Sequence, residues 1–552
     1  MCHSADLPSA LSQLPPPPLR SGIGSSQMKI TTTSADAQRW FNQGLDALHA
    51  FWDIEALRAF RYAAQLDPQA AMTHWGIAMS IPQGGNHELV EVRTEALKRA
   101  KQLRHSTTKE EQLFIDAALV RFGLDGVPDR KKYQSVLRQI SRLYPRNDQA
   151  RLFLSLSLIA GYDQSGLPFP EQKECEELLE KLLRQYPKSA AAHHYWIHAV
   201  ELSPSPERAL RNAESLVEIA PNSAHLQHMP GHVHFLLGNY SRALKAFESA
   251  DAVDRKYMES ENISPVDNWN YVHNIEYVLS ALAELGRYQE GLRWVNILLE
   301  ILSHSKDRKA AANHKLAYDI PSAAVRFFLR LDKGNEAAEF LKRAASFSTI
   351  SSGAKDYYSI ITLYLETRKA LERNQVKKAH ELMENLDTAY AKFSRLVQDQ
   401  SLDGAEIAFA KTAQEISQTM IYELRGRQEL NVRNLQAAID WLEQAESKEL
   451  ALGYREPPAY FQPIAELLAR THIEAKNLTA AEQAVERSLA RRKNSGHSLI
   501  LKAELHRSNN PNLALQLYNQ ALTSWEGADS DFSKAQEVLS RIAELKSVSA
   551  PQ

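Results

Sequence analysis

Apolar residues recur along most of the chain with the period of an amphipathic helix. Short polar or glycine-containing turns interrupt this pattern. Between residues 40 and 68, small and aromatic residues stand at offsets that let two helices pack closely: Trp40, Gly44, Ala56, Phe60, Ala63 and Pro68. Such a set is typical of a helical hairpin of about 34 residues. The pattern therefore predicts a hairpin over this segment.

The same offsets return in the middle of the chain, where Ala209 and Ala243 lie 34 residues apart and Gly286 falls at a later inter-helix turn. Weaker versions occur at three further segments: 337–344, 481–488 and 514–521. These repeats predict an all-α fold, a tetratricopeptide-type helical-hairpin solenoid wound as a right-handed superhelix. In such an array, the first helix of each pair lines the concave groove and is the natural place for ligand contacts.

The repeats and the composition of the two ends predict six segments. Residues 1–30 are predicted to be a disordered leader, because they carry a proline run at 15–18 and a segment rich in Gly and Ser at 21–26. Either Met1 or Met28 is a possible natural start. The other segments are N-terminal repeats at 31–190, central repeats with a histidine cluster at 191–300, irregular helical repeats at 301–446, C-terminal repeats at 447–545 and a tail at 546–552.

Composition narrows the classes of partner. The chain has 65 Lys and Arg against 67 Asp and Glu, a formal charge of -2, so neither nucleic acid nor an anionic membrane is an expected partner. Its two cysteines, Cys2 and Cys175, form no disulfide framework. No stretch approaches the roughly 18–20 apolar residues of a spanning helix. A soluble, cytoplasmic protein is expected.

Histidines are concentrated in one region, since eight of the nineteen fall within the 81 residues 193–273. The segment A-H-H-Y-W-I-H-A-V-E puts three polar residues on one helical face: His194, His198 and Glu201. The segment A-H-L-Q-H-M-P-G-H-V-H-F does the same with three histidines: His225, His228 and His232. Pro230 lies inside the second segment and is expected to kink or restart that helix.

The two faces are in phase, because His194 and His228, like His198 and His232, are 34 residues apart. The first helices of adjacent repeats pack about 8–10 Å apart, so the two histidine pairs are predicted to face each other. The following repeat adds His273 and Glu276 to the same groove.

This arrangement predicts a transition-metal site, because neutral imidazole nitrogen is a good ligand for Fe, Cu and Zn. The predicted metal ligands are His194, His198, His228, His232 and His273. Two carboxylates are candidate catalytic bases or acceptors that orient the ligands: Glu201 and Glu276. The sequence leaves the identity of the metal open.

Several linear segments resemble a family of large tetratricopeptide repeat proteins. The segments that carry the resemblance are G-L-D-A-L-H-A-F-W-D-I-E-A at 44–56, H-W-G-I-A-M-S at 74–80, Y-W-I-H-A-V-E at 195–201, H-M-P-G-H at 228–232, H-N at 273–274 and E-P-P-A-Y at 456–460. The resemblance implies histidines that act together at four positions: His198, His228, His232 and His273. Gly231 departs from the small hydroxyl residue usual there.

Two functions follow from these observations. The first is a metalloenzyme that performs oxidative or hydrolytic chemistry on a small molecule held in the groove. The second is a tetratricopeptide interaction scaffold without catalysis, which binds a peptide or a protein partner. A structural metal within a scaffold would use the same ligands but leave no open coordination position.

Overall fold

The computed structural model describes residues 15–81, 87–163, 165–304, 310–402, 404–453 and 455–548. Within these ranges the chain is built from α-helices and short 3-10 turns, with one isolated β-bridge between Tyr162 and Pro168 in place of any sheet. The all-α prediction is confirmed. None of the helices in the described part of the chain combines the length and apolar character needed to cross a membrane.

The first twelve helices are α1 Ala35–His49, α2 Asp53–Leu66, α3 Ala71–Met79, α4 His87–Leu103, α5 Lys109–Phe122, α6 Arg130–Leu143, α7 Asp148–Leu158, α8 Pro170–Gln185, α9 Ala190–Val200, α10 Leu210–Ile219, α11 Ala224–Leu236 and α12 Tyr240–Glu261. The next are α13 Trp269–Leu285, α14 Tyr288–Ser303, α15 Ala310–Arg330, α16 Gly334–Ala345, α17 Ser352–Glu372, α18 Val376–Gln398, α19 Gly404–Asn431, α20 Leu435–Ala451, α21 Ile464–Glu474, α22 Leu478–Arg491, α23 Gly496–His506, α24 Pro511–Ser524 and α25 Ser533–Val548.

Side-chain caps fix where many of these helices begin. The Ser189 hydroxyl accepts a hydrogen bond from the Ala192 N–H at the start of α9, and Ser34 caps α1 in the same way. At α5, Thr108 and Glu111 form a reciprocal capping box. Each cap satisfies an N–H that the first turn of a helix leaves without a partner.

Small residues at the predicted offsets allow consecutive helices to approach. A Cβ atom added to Gly44 of α1 would lie 2.7 Å from the Phe60 ring of α2, and one added to Gly76 of α3 would lie 2.3 Å from it. Gly231 and Phe247 repeat this contact between α11 and α12, at 2.1 Å. The hairpin predicted at 40–68 is therefore confirmed as α1 and α2.

The later repeat signals also fall where the hairpin pattern places them. Gly286 has a φ of 72°, a left-handed conformation that favours glycine, and forms the turn between α13 and α14. The weaker segments at 337–344, 481–488 and 514–521 lie in α16, α22 and α24. Consecutive helices pack as pairs over most of the described chain, so the fold is a tetratricopeptide-like array of helical hairpins.

The prediction of a disordered leader is wrong for residues 15–30. Ile23, Met28 and Ile30 are 5% exposed or less. The Met28 carbonyl accepts a hydrogen bond from the Gln38 side chain of α1, at 2.8 Å. The segment lacks a helical period because it packs in an extended form, with α1 side chains replacing internal backbone hydrogen bonds. Residues 1–14 lie outside the described ranges.

The chain divides into two compact units. Unit 1 contains the residues up to His234 together with Lys245–Asn274. Unit 2 contains Phe235–Leu244 and the residues from Ile275 onward. The six segments predicted from the sequence, apart from the leader, stay a prediction.

Candidate metal centre

The histidine cluster lies on three helices, at residues that all belong to unit 1. His194 and His198 lie on α9, His228 and His232 on α11, and His273 in the first turns of α13. Pro230 lies inside α11 without ending it, so the i, i+4 spacing of the second pair is preserved. The predicted restart of the helix does not occur: Pro230 removes one backbone N–H donor, and α11 continues through it to Leu236.

The cluster is buried. The sequence predicts ligands that line an open groove, but the predicted side chains in unit 1 are 5% exposed or less: His194, His198, Glu201, His228, His232 and His273. Buried polar groups require hydrogen-bond or metal partners, since an unmet group costs about 1–3 kcal/mol. The partners of each ring nitrogen therefore decide what the cluster can do.

In the α9 pair, both Nδ1 atoms face acceptors. His194 Nδ1 lies 2.7 Å from the backbone carbonyl oxygen of His49. His198 Nδ1 lies 2.7 Å from Glu201 Oε1. A carbonyl or carboxylate oxygen accepts and does not donate, so each Nδ1 carries a proton and donates it.

The α11 pair has the same design. His228 Nδ1 lies 2.7 Å from Asn274 Oδ1, and the orientation of that amide is set because its Nδ2 donates to the Phe247 carbonyl at 2.8 Å. His232 Nδ1 lies 3.1 Å from the second carboxylate oxygen of Glu201. Both rings therefore also donate from Nδ1.

The remaining nitrogens meet each other. His194 Nε2 and His198 Nε2 are 3.1 Å apart, and His228 Nε2 and His232 Nε2 are 2.7 Å apart. In a neutral ring whose Nδ1 is protonated, Nε2 offers only a lone pair. Burial and the neighbouring histidine lower the pKa of both His194 and His228 well below the usual value, which favours their neutral forms. Each pair therefore needs a proton or a cation between its two nitrogens.

Glu201 connects the two pairs. Its two oxygens each accept from a different ring, His198 on α9 and His232 on α11. Burial alone would raise the pKa of Glu201, but the interactions with His198 and His232 outweigh it and hold the pKa well below its usual range. The carboxylate is thus ionised and fixes the orientation of two imidazoles.

A third histidine joins each pair. The close-set ring nitrogens form two groups in which one atom from each residue lies within 4.8 Å of the others: triad A, His194, His198 and His225, and triad B, His228, His232 and His273. The sequence predicts one set in which the α9 pair faces the α11 pair. The structure instead brings the members of each i, i+4 pair together and supplies a third ring from another helix.

His225 is the residue that the predicted ligand set lacks. It is 4% exposed, and its Nε2 has no hydrogen-bond partner among the described residues. Its ring lies 5.0 Å from the His194 ring and stacks on His228 at 5.9 Å. The signal was present, because His225 and His228 stand at i, i+3 on one helical face.

The turn between α1 and α2 also forms part of the site. His49 supplies the carbonyl that orients His194, and the Phe51 ring lies 4.6 Å from the His194 ring and 5.6 Å from the His198 ring. Phe51 has a φ of 53°, a conformation that bulky residues seldom adopt. Both residues belong to the segment at 44–56 that carries the family resemblance, and their role was not predicted.

Glu276 is a member of neither triad. It belongs to unit 2, where it is buried and interacts with Asp319, Lys315 and Arg326. Burial and the Asp319 charge raise the pKa of Glu276 to about 7. The role of Glu276 as a catalytic residue therefore stays a prediction.

No protein-family model matches the sequence, and no curated protein matches it either. Among solved structures, the chain is similar to a human IFIT1 dimer with m7Gppp-AAAA at 15% identity, covering 83% of this chain and 91% of that one, with a TM-score of 0.36. It is similar to yeast Tom70 at 12% identity, covering 93% and 96%, with a TM-score of 0.30. A Rap protein complexed with competence and sporulation factor matches at 12% identity, covering 85% and 98%, with a TM-score of 0.36. At these scores the likenesses carry no argument about what this chain binds.

Proposed function

We propose that unit 1 binds transition-metal ions through the Nε2 atoms of its buried histidines. The observation that carries the proposal is the facing of Nε2 atoms in two pairs whose Nδ1 protons are already donated elsewhere. Ligating histidines usually donate their other ring N–H to a carbonyl or carboxylate, which fixes the tautomer and the ring orientation. The four Nδ1 contacts have this form.

The spacing of the nitrogens also suits a shared ion. Two imidazole nitrogens bound to one zinc ion at about 2.0–2.1 Å, with angles between about 90° and 110°, lie about 2.8–3.4 Å apart. The observed separations are 3.1 Å in the α9 pair and 2.7 Å in the α11 pair. Small rotations of the rings would meet the geometry of the ion.

The facing Nε2 atoms could instead share a second proton, carried by one ring of each pair. That arrangement would bury two imidazolium charges beside the Glu201 carboxylate, and burying a charge without a matched partner costs several kcal/mol. A metal ion accepts both lone pairs of a pair at once and leaves all four rings neutral. A metal ion therefore satisfies both facing nitrogens of a pair without a second proton on either ring.

The donor set narrows the choice of metal. Imidazole nitrogens suit Zn, Cu, Fe and Ni, whereas Mg and Ca prefer oxygen ligands. Three histidines leave one position open at a four-coordinate ion, so the site suits a metalloenzyme that acts on a small molecule by oxidative or hydrolytic chemistry. Within this proposal, Glu201 orients His198 and His232, since both of its oxygens are engaged.

The second candidate function rests on the array of helical hairpins, which is typical of interaction scaffolds. A protein or peptide partner and the metal site are compatible, because the histidines are buried and leave other surfaces of the hairpins available. The expected exclusion of nucleic acid and the cytoplasmic localisation remain predictions.

Metal analysis of the full chain tests the proposal. The wild type, the double variant His198→Ala, His232→Ala and the control His380→Ala are purified without chelators and their metal content is measured. The control side chain is 65% exposed and outside the cluster. Metal in the wild type and control, with loss in a folded double variant, is expected. No metal above trace level in the wild type, even after incubation with Cu²⁺ or Zn²⁺, would exclude the proposed function.

A further inference from the structure

We infer that the cluster takes two metal ions at once, one in triad A and one in triad B, and that the pair binds one small exogenous anion between them. This inference rests on the proposed function and adds the number of ions and the class of ligand. The sequence predicts a single set of ligands, whereas the structure brings the histidines together in two groups of three.

The separation into threes follows from the Nε2 contacts. The facing Nε2 atoms belong to two residues of the same helix, His194 with His198 and His228 with His232, so each helix supplies two ligands to a site of its own. One further buried ring completes each site, His225 in triad A and His273 in triad B. Two equivalent three-histidine sites result, and neither needs a ligand from the other.

The two sites adjoin. The rings of His198 and His232, one from each triad, have centroids 6.0 Å apart, and those of His225 and His228 are 5.9 Å apart. These distances are similar to those between rings within a triad, such as 5.9 Å between His232 and His273. Two ions in these triads would therefore be close neighbours.

Two side chains span the pair of sites. Glu201 accepts from His198 with one oxygen and from His232 with the other, so it orients one ligand of each triad. The Trp269 ring lies 5.8 Å from His225 and 5.8 Å from His273, the third ligand of each triad. Glu201 and Trp269 therefore each contact one ligand of both triads.

Each proposed ion has three protein nitrogens and one open position, the arrangement that catalytic sites keep and structural sites lack. Two adjacent open positions suit a small anion with nitrogen or oxygen donors that contacts both ions, as in two-metal centres. Azide is the probe of this class, because its binding to Cu²⁺ adds an absorption band in the near-ultraviolet and visible range.

The test uses the full chain, freed of metal, loaded with Cu²⁺ and desalted. The wild type is expected to keep two ions per chain, and the variants His225→Gln and His273→Gln one each. Glutamine is chosen because it fills similar space, and thermal unfolding of each variant checks that it folds. His380→Ala is the matched control and should keep two.

The outcomes separate the two claims. One ion per wild-type chain would overturn the inference and leave the proposed function intact, whereas none would exclude both. Titration with azide should saturate at one azide per chain in the wild type. Two azides would show that the sites act separately, and no azide band would show that they are closed; either result would contradict the pair as inferred.

Discussion

A buried polar cluster lies in each unit, and the two clusters satisfy their groups by different means. In unit 2, Arg330 donates to both oxygens of Glu284, at 2.9 and 3.2 Å, and to both oxygens of Glu466, at 2.7 and 3.0 Å. Ser495 and Arg492 add further donors to Glu284, at 2.7 and 3.1 Å. Donors meet acceptors throughout this network.

In unit 1, an acceptor faces another acceptor, because the Nε2 atoms of the two histidines in each pair face each other. The arginine network is complete with protein atoms alone, so it stabilises the fold of unit 2. In both histidine pairs, two nitrogens that each offer a lone pair face each other, and a bound cation would relieve this mismatch. Burial and a high density of polar groups therefore do not indicate a binding site, whereas a mismatch of donors and acceptors does.

The largest effect is expected from breaking the matched network. The substitution Arg330→Met would leave Glu284 and Glu466 buried without their main partner, and such losses cost about 3–5 kcal/mol. Urea unfolding should show this loss, while Arg425→Met, which breaks an ion pair between side chains 36% and 48% exposed, should cost under about 1 kcal/mol. Equal effects of the two variants would refute the view of a structural network.

The pH dependence of stability is expected to follow the same network. Burial opposes ionisation, but Arg330 outweighs it and holds the pKa of Glu284 and of Glu466 at about 2, against an ordinary value of 4.5. A lowered carboxylate pKa stabilises the fold above pH 4.5, and this contribution disappears as the pH falls toward 2. A loss of about 3 kcal/mol for each of the two carboxylates is expected over this window. A flat stability profile from pH 5 to 2.5 would argue against it.

Metal should stabilise unit 1 and leave the network of unit 2 untouched. At a free Zn²⁺ concentration a hundred times the dissociation constant, binding adds about 2.7 kcal/mol to the free energy of unfolding. Thermal unfolding of the wild type should therefore shift upward with metal, and that of His198→Ala, His232→Ala should not. The same shift in the double variant would place the metal elsewhere.

A smaller effect is expected for Glu201→Gln, which keeps the size of the side chain but removes its charge. The glutamine side chain has an NH2 group in place of one of the two oxygens, and this group cannot accept a hydrogen bond. One of His198 and His232 therefore loses its orientation, and loss of such a contact weakens metal binding about 10–100-fold. Competition titration with a chelator measures this change. An unchanged affinity would show that Glu201 does not orient the ligands.

Much of the fold follows from local sequence. Gly44, Phe60 and Gly286 mark close approaches and turns at fixed offsets, and each lies where the hairpin pattern predicts. The packed segment at 15–30 could not be predicted, because Ile23 and Ile30 are buried in an extended chain without periodicity.

The histidine cluster was predictable in part, since the 34-residue register identified the helices and five of the six rings. Their partition into triads was not, because it depends on ring orientations. Acceptors distant in sequence set these orientations: the His49 carbonyl for His194 and the Asn274 amide for His228. Conversely, Glu276 is close to His273 in sequence but is a member of neither triad.

X-ray absorption at the metal edge of the loaded full chain identifies the atoms that bind the metal. We expect a first shell dominated by imidazole nitrogen at about 2.0–2.1 Å, with the outer-shell scattering of imidazole rings, which His198→Ala, His232→Ala removes. A first shell of oxygen atoms without imidazole scattering, or a spectrum that the double variant leaves unchanged, would contradict it.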